Sequence, residues 1–547
     1  MMEDQLNKYV KLLKRENYRV ELENEKIKLY VDIEGKEIIL YCVLGEFFPY
    51  EIPQIFIEAE SKKKIPNIPH LYTDNSICIF DKSKVIPNFN EPYQLVLDTI
   101  NEAITVIKKG ITGGNCKDFI DEFLEYWSVK KILKAQMFIE NLIEGKQIYY
   151  CFMKKELLIS DSIQRLKEIY HAITGESLKE KGIFNGVFIP LNGEKVENIP
   201  KNDIHIVQMI EKYSQYNKFY NSFMQKHIKD ITLIVFNQLV EGKNMVAGWL
   251  HDGPGIPNGF RKGHVNLKAA FKISSKKGFA IAIENCHQNR LFTRGGDGSM
   301  SPWRKVGIIG CGSIGGFLAD ALKLSGVEKF ALVDNEDLEY ENVARHPCGY
   351  HWVHYPKTID LGISLQNWNP NIVYESYVEN AHSFVENRTE IINDCDVLFV
   401  AVACATVEHH VNKLILENRI KIPVVFLWGE PYLLGGHAIL VKKPQDLYKE
   451  IFDAVTLEYK YRIVEDGTKY LKREAGCQST YMPYSGFQLQ QFIYRVIECL
   501  ESECWEKKGN YRITWCGKLS NAKNLKVQIC NEYSEIKDYS LIKKRID

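Results

Sequence analysis

Six residues constrain this chain more than any others: Gly310-Cys311-Gly312-Ser313-Ile314-Gly315. They follow an apolar run at 306–309 and precede a helical pattern at 317–325. A strand that turns through three glycines into a helix has few folding options. The first glycine permits a tight turn, the second lets backbone approach a phosphate, and the third lets helix and strand pack closely. The helix start adds unpaired N–H groups that favour an anion. A second strand at 330–333 runs into Asp334, where an acid that binds a ribose is expected. Further apolar runs at 397–402 and 424–427 read as buried parallel strands. The pattern predicts a doubly wound, nucleotide-binding α/β domain and leaves two readings open, a dinucleotide oxidoreductase and an ATP-using enzyme.

Composition narrows the rest. At 547 residues the chain has room for roughly three or four folding units. Lys plus Arg and Asp plus Glu both total 70, so the formal charge of zero argues against a broad nucleic-acid surface. No apolar run reaches the ~18 residues of a membrane span. The first residues, Met1-Met2-Glu3-Asp4, lack a basic region followed by an apolar run, which predicts no secretory signal and a cytoplasmic protein. The 14 cysteines are scattered, with no Cys-x-x-Cys pair, and suit a reducing compartment better than a disulfide framework or a structural zinc site. Most are expected to be small buried hydrophobes, Cys311 and Cys404 among them.

The N-terminal part reads as a helix at 2–16, strands at 18–22, 26–33 and 37–44, a Pro- and Asn-rich loop at 65–90, and helices at 91–109 and around 119–127. Residues 131–290 mix helical and strand-like stretches. Their histidines, His251, His264 and His287, lack metal-site spacing, and the reading assigns them ordinary surface or core roles.

The segment after Asp334 separates the two nucleotide readings. Asp334-Asn335-Glu336-Asp337-Leu338-Glu339-Tyr340-Glu341-Asn342-Val343-Ala344-Arg345-His346 resembles the motif of ThiF-like ubiquitin-activating enzymes. The resemblance implies that Gly310, Gly312, Gly315, Asp334, Asn342, Arg345 and Lys357 bind ATP. An arginine fork and a lysine point charge beside a polyphosphate make physical sense. Arg290 and Arg294 match, less closely, the arginines that family supplies across a dimer interface. Magnesium is implied as well, but the aspartate that helps hold it is missing at Val402-Ala403-Cys404-Ala405-Thr406, so the metal ligands are unknown. Such enzymes adenylate a protein's C-terminal carboxylate and pass the acyl group to a cysteine. Cys477, in Lys472-Arg473-Glu474-Ala475-Gly476-Cys477, is the expected acceptor, with cations nearby to lower its pKa. Trp428-Gly429-Glu430-Pro431-Tyr432 with Gly435-Gly436-His437 is similar to the branch of bacterial operons.

Phe47-Phe48-Pro49-Tyr50-Glu51-Ile52-Pro53 and Ile68-Pro69-His70-Leu71-Tyr72-Thr73-Asp74-Asn75-Ser76-Ile77-Cys78-Ile79 resemble ubiquitin-conjugating enzymes, with Cys78 as the thioester cysteine. His70 stands where eukaryotic members carry an oxyanion-supporting asparagine. Ile77-Cys78-Ile79-Phe80 also reads as buried strand. The expected architecture is a ubiquitin-conjugating-like fold at 1–130, an α/β linker domain at 131–290, and a Rossmann-like ThiF-type adenylation domain at 291–547. As a whole the chain resembles the fused conjugating and activating proteins of bacterial anti-phage CBASS operons. That implies a homodimer that activates the C-terminus of a cGAS-like nucleotidyltransferase and attaches it to lysines of target proteins, with an isopeptidase encoded nearby. The zero net charge and the lack of a long apolar run predict no nucleic-acid or membrane partner. An NAD(P)-dependent oxidoreductase and a non-catalytic nucleotide-sensing scaffold stay as alternatives.

Overall fold

The computed structural model describes residues 2–66, 68–72, 74–80, 85–114, 127, 133–192, 200–240, 243–453, 455–456, 458–473 and 480–546. The chain divides into two compact units, Met1–Leu166 with Lys179–Asn285, and Lys167–Leu178 with Cys286–Asp547. Among the described residues no helix is long and apolar enough to cross a membrane.

The first unit opens with the helix Met2–Arg15, followed by β1 (Arg19–Glu23), β2 (Lys26–Ile33), β3 (Lys36–Val43), β4 (Gln54–Ile57) and β5 (Ser76–Ile77). They form one antiparallel sheet in sequential order. The two tight hairpins have a local cause. Asn24 and Glu25, then Glu34 and Gly35, all take positive φ. That is the primed turn whose twist matches the strands it joins. Burial alternates along β2, so one face carries Ile27, Leu29, Val31 and Ile33 into a core with Leu6, Leu13 and the helix Pro92–Thr112.

Seven more strands of this unit close into a barrel: β6 (Leu133–Phe138), β7 (Lys146–Met153), β8 (Glu156–Ser160), β9 (Phe184–Leu191), β10 (Thr232–Val240), β11 (Lys243–His251) and β12 (Phe279–Asn285). Successive residues of β9 point to opposite sides. Phe188 joins the core with Tyr150 and Leu233, while Val187 and Ile189 join one with Ile206, Ile210 and Phe223. A strand buried on both faces reads as an unbroken apolar run, which is why the sequence here lacked a clear period. The helix Asp203–Tyr213 is tied to the barrel by its first residue. Asp203 Oδ1 accepts hydrogen bonds from Trp249 Nε1 and His251 Nδ1, and Oδ2 accepts one from the Gly278 N–H. His251 is therefore a core histidine. Of the helix expected around 119–127 only Trp127 is described. Its indole donates to the Ile281 carbonyl at 2.9 Å.

The second unit is built on an eight-stranded sheet of β13 (Lys305–Ile309), β14 (Lys329–Val333), β15 (Val373–Tyr377), β16 (Val397–Val400), β17 (Val424–Gly429), β18 (Gly435–Val441), β21 (Tyr511–Cys516) and β22 (Leu541–Arg545). The small hairpin of β19 (Lys472–Arg473) and β20 (Thr480–Tyr481) is separate. The order β15-β14-β13-β16-β17-β18-β21-β22 is parallel through β17 and antiparallel beyond it. Strand order reverses between β13 and β16, and the crevice at their carboxyl ends is where open α/β sheets bind ligands. The six-residue glycine turn lies at that point.

Candidate nucleotide site and thiol sites

Gly310 follows β13 with φ +89°, a left-handed conformation that side chains disfavour. Its neighbours are close as well: a Cβ there would stand 2.9 Å from the Ala401 backbone. At Gly315 a Cβ would lie 1.8 Å from the Gly310 carbonyl oxygen, so the helix Ser313–Ser325 starts in backbone contact with the strand before it. Gly312 differs, since a Cβ there would meet nothing within 4 Å. Two glycines shape the turn and the third leaves its outer side open. An open turn at a helix start, facing a carboxylate, fits a nucleotide phosphate and ribose.

Asp334 closes β14 and faces this turn. Its Oδ2 accepts from the Cys311 N–H at 2.7 Å and its Oδ1 from the Glu336 N–H at 2.9 Å. Burial pushes the Asp334 carboxyl up, while those two N–H groups and the Lys357 ammonium draw it down. Lys357, only 5% exposed, begins the helix Lys357–Trp368, and its ammonium is 2.6 Å from Glu336 Oε2. A buried ammonium needs a partner, and Glu336, two residues past Asp334, supplies it. Sequence reading passed over Glu336; its place beside the strand-ending acid was the available signal.

Asn342 and Arg345 lie in a short 3-10 helix, Tyr340–Arg345. Asn342 Oδ1 accepts from the Glu339 N–H at 3.0 Å, so its side-chain carbonyl caps that turn. Arg345 Nη1 donates to the Met482 carbonyl at 3.0 Å, and its guanidinium carbon sits 5.0 Å from the Tyr484 ring centroid. Arg345 thus ties the region of the turn to the segment that follows Cys477 in sequence. Cys477 itself lies outside the described residues. On either side of that gap, Lys472 pairs with Tyr481 and Arg473 with Thr480. Arg290 and Arg294 are exposed on the helix Gln288–Gly295.

His346, the last residue of the motif and given no role in the sequence reading, locks the turn from behind. Its Nε2 donates to the Cys311 carbonyl at 2.8 Å, and its Nδ1 accepts from the Cys348 N–H at 3.1 Å. Both nitrogens are used by the neutral ring, and burial pushes its pKa down to about 4. The unfolded histidine takes up a proton near pH 6.5, whereas the folded one resists until about 4. Stability held above pH 6.5 is therefore lost as pH falls toward 4, by about 3 kcal/mol for this group alone. Urea unfolding of the parent and of His346→Gln at pH 7.5 and 4.5 should show the gap between them shrinking at low pH. A gap that does not change with pH would rule out this role.

Cys311 is fully buried, and burial holds its thiol well above the ordinary value. Cys404, expected to pack in the core, is instead exposed, because β16 stops at Val400 and the chain leaves the sheet before reaching it.

In the first unit Cys78 is half-buried and follows β5 instead of lying within it. Its N–H donates to the His70 carbonyl at 2.8 Å, so backbone pairing brings His70 and Cys78 side by side. The tight turn between them is braced by Lys62, whose ammonium donates to the Tyr72 carbonyl at 2.7 Å and to Asn75 Oδ1 at 3.0 Å. Asp74 Oδ1 accepts from both the N–H and the hydroxyl of Ser76. Cys78 thus stands half-buried just past a braced turn.

Two family models match separate parts of the chain. Residues 299–465 match the ThiF family, and residues 8–136 match prokaryotic E2 family B. An "ATP-dependent ubiquitin transferase-like protein Cap2" of Vibrio cholerae is 28% identical over 387 residues, 61% of this chain and 63% of that protein, so less than two thirds of its length is spanned. A protein of the same description from Pseudomonas aeruginosa is 20% identical over 458 residues, 80% of this chain and 79% of its own. Among solved structures, E. coli MccB with ATP is 17% identical over 44% of this chain and 64% of its own, with a TM-score of 0.28. PaaA gives 0.27 at the same identity and coverage.

Proposed function

We propose that this fusion of a prokaryotic E2 family B domain with a ThiF-family domain activates the C-terminal carboxylate of a protein with ATP and conjugates it to an amine. The observation that carries the reading is the open glycine turn with Asp334, Glu336 and Lys357 gathered beside it, in a chain that also presents Cys78. The carboxylate attacks the α-phosphorus of ATP and pyrophosphate leaves. N–H groups of the turn and the Lys357 ammonium oppose the developing negative charge. Magnesium would neutralise the phosphates. Among the described residues no group of three or more His, Cys, Asp or Glu side chains makes a metal site, and magnesium commonly binds through phosphates and water.

The Cys477 thiolate then attacks the acyl carbon and AMP leaves. Transthiolation carries the acyl group to Cys78, and a target lysine amine takes it. The carried protein is a cGAS-like nucleotidyltransferase, the setting a bacterial anti-phage operon with an isopeptidase, and the working form a cytoplasmic homodimer. Two relatives described as ATP-dependent ubiquitin transferase-like support this reading.

The test mixes the full chain with ATP, magnesium and the nucleotidyltransferase and runs non-reducing gels. Cys477→Ala should remove the thiol-sensitive adducts at Cys477 and Cys78, resolved by peptide mapping. Cys78→Ala should keep the Cys477 adduct and stop conjugation, and pyrophosphate exchange should survive in both. Adducts unchanged in either variant would sink the relay, and hydride transfer to NAD(P) without exchange would sink adenylation.

A further inference from the structure

The helix Ala405–Leu416 begins where the chain leaves β16, and Cys404 is its N-cap residue. Ala403 before it takes φ 50°, a sharp turn that carries Cys404 out of the sheet edge. Ala401 and Val402 back the Gly310 turn, so Cys404 follows two residues after a direct contact of the phosphate cradle. At ~3.5 Å per residue that is roughly 7 Å of chain.

Cys404 Sγ lies 3.3 Å from Thr406 Oγ1, and Thr406 Oγ1 lies 3.3 Å from His382 Nε2. His382 Nδ1 is 3.1 Å from His410 Nδ1, the two rings stacking at 5.3 Å. His410 Nε2 is 3.0 Å from Glu386 Oε2, and Glu386 Oε1 accepts from Arg419 Nη1 at 2.7 Å.

With both imidazoles neutral, the direction of each proton follows from which atoms accept. A carboxylate only accepts, so His410 Nε2 carries hydrogen and its Nδ1 is the acceptor. His382 then donates from Nδ1, which leaves Nε2 to accept the Thr406 hydroxyl. That hydroxyl's lone pairs face the Cys404 S–H. The thiol, the hydroxyl, two imidazoles and the carboxylate form one directed chain, anchored by the Arg419 guanidinium. It joins a nucleophile to a base that a third group orients.

We propose that Cys404 is an activated nucleophile, that Thr406, His382, His410 and Glu386 remove its proton, and that it takes acyl groups from carboxylic–phosphoric anhydrides formed at the adjoining turn. The acyl donor rests on the adenylation reading; the activated thiol does not. The sulfur attacks the carbonyl carbon, a C–S bond forms, and the C–O bond to phosphate breaks with AMP taking the electron pair. The thiol proton passes to Thr406 Oγ1 as the hydroxyl proton passes to His382 Nε2, giving an imidazolium that His410 and Glu386 stabilise. Once that transfer has occurred the Thr406 hydroxyl donates to the thiolate, and this contact draws the Cys404 thiol below its ordinary value, with the Val407 and Thr406 N–H groups adding to it and burial and the Glu408 carboxylate opposing.

The test uses the full chain with two probes, iodoacetamide and acetyl adenylate, read by peptide mass spectrometry. Thr406→Val and His382→Phe should each slow Cys404 alkylation at pH 7 by about tenfold. Thr406→Ser should restore it, and Cys530 should alkylate at its parent rate throughout. Acetyl adenylate should leave a hydroxylamine-labile acetyl group on Cys404 in the parent and in Thr406→Ser only. Melting curves identify any variant that fails to fold, and the remaining one then decides. Equal Cys404 rates in parent and variants overturn the relay, and alkylation without acetyl capture overturns the acyl-acceptor role. Pyrophosphate exchange is scored separately. Its absence with the relay and capture intact removes the adenylation reading and leaves the activated thiol standing.

Discussion

Gly315→Ala is expected to lose both folding stability and pyrophosphate exchange, whereas Gly312→Ala loses exchange alone. The added methyl at position 315 would sit 1.8 Å from the Gly310 carbonyl oxygen and 3.2 Å from Ile308 Cγ2. Both obstacles belong to the strand and turn that the helix must touch, so relief requires moving backbone. Overpacking of that kind costs roughly 3 kcal/mol or more. At ~2–4 °C per kcal/mol for a unit of this size, melting should fall by roughly 6 °C or more. Position 312 has φ −73° and open space, so alanine costs the fold little there. Its methyl instead occupies the open side of the turn, where the proposed reading seats the phosphate. Calorimetry with and without ATP separates the two: Gly312→Ala should melt within about 1 °C of the parent and lose the ATP-induced rise. If both variants keep that rise, the turn is not where nucleotide binds.

The second large effect is expected at Glu430. Its Oε1 accepts from His437 Nε2 at 2.6 Å and from the Ile463 N–H at 2.8 Å, and its Oε2 from the Val464 N–H at 2.6 Å. Glu430 is 8% exposed and His437 fully buried, so Glu430→Ala strands three buried donors. Removing one partner of a buried pair typically costs about 3–5 kcal/mol. The loss should also spread along the chain. Residues 463–464 lead toward Lys472 and Arg473, the last described residues before Cys477. Hydrogen exchange should show protection lost at the Ile463 and Val464 amides, with the Cys477 adduct forming more slowly. Unchanged protection at both amides would mean that Glu430 does not hold this segment.

Much of the fold was legible because its causes are local. Three glycines between a strand and a helix are a statement about φ and close approach, which need no distant partner. The pairs Asn24-Glu25 and Glu34-Gly35 likewise place two residues at positive φ and thereby set the registers of β1 with β2 and of β2 with β3. The middle region was opaque for the opposite reason. Strands buried on both faces lose the alternation that marks a strand, and barrel closure joins β12 to β6 across nearly the whole segment.

The candidate sites divide the same way. Asp334 and the turn lie on neighbouring strands and were visible as a spacing. The amino-acid sequence by itself determined the glycine turn, its acid and the two family resemblances, since each is written in residues a few positions apart. Only the tertiary structure decided that Glu336 pairs with Lys357, that Glu430 holds residues 463–464, and that Cys404 faces solvent at the end of a line through Thr406, His382, His410 and Glu386. Those partners come from separate elements, and which side chains meet is set by strand order and helix packing, which leave no local period to read.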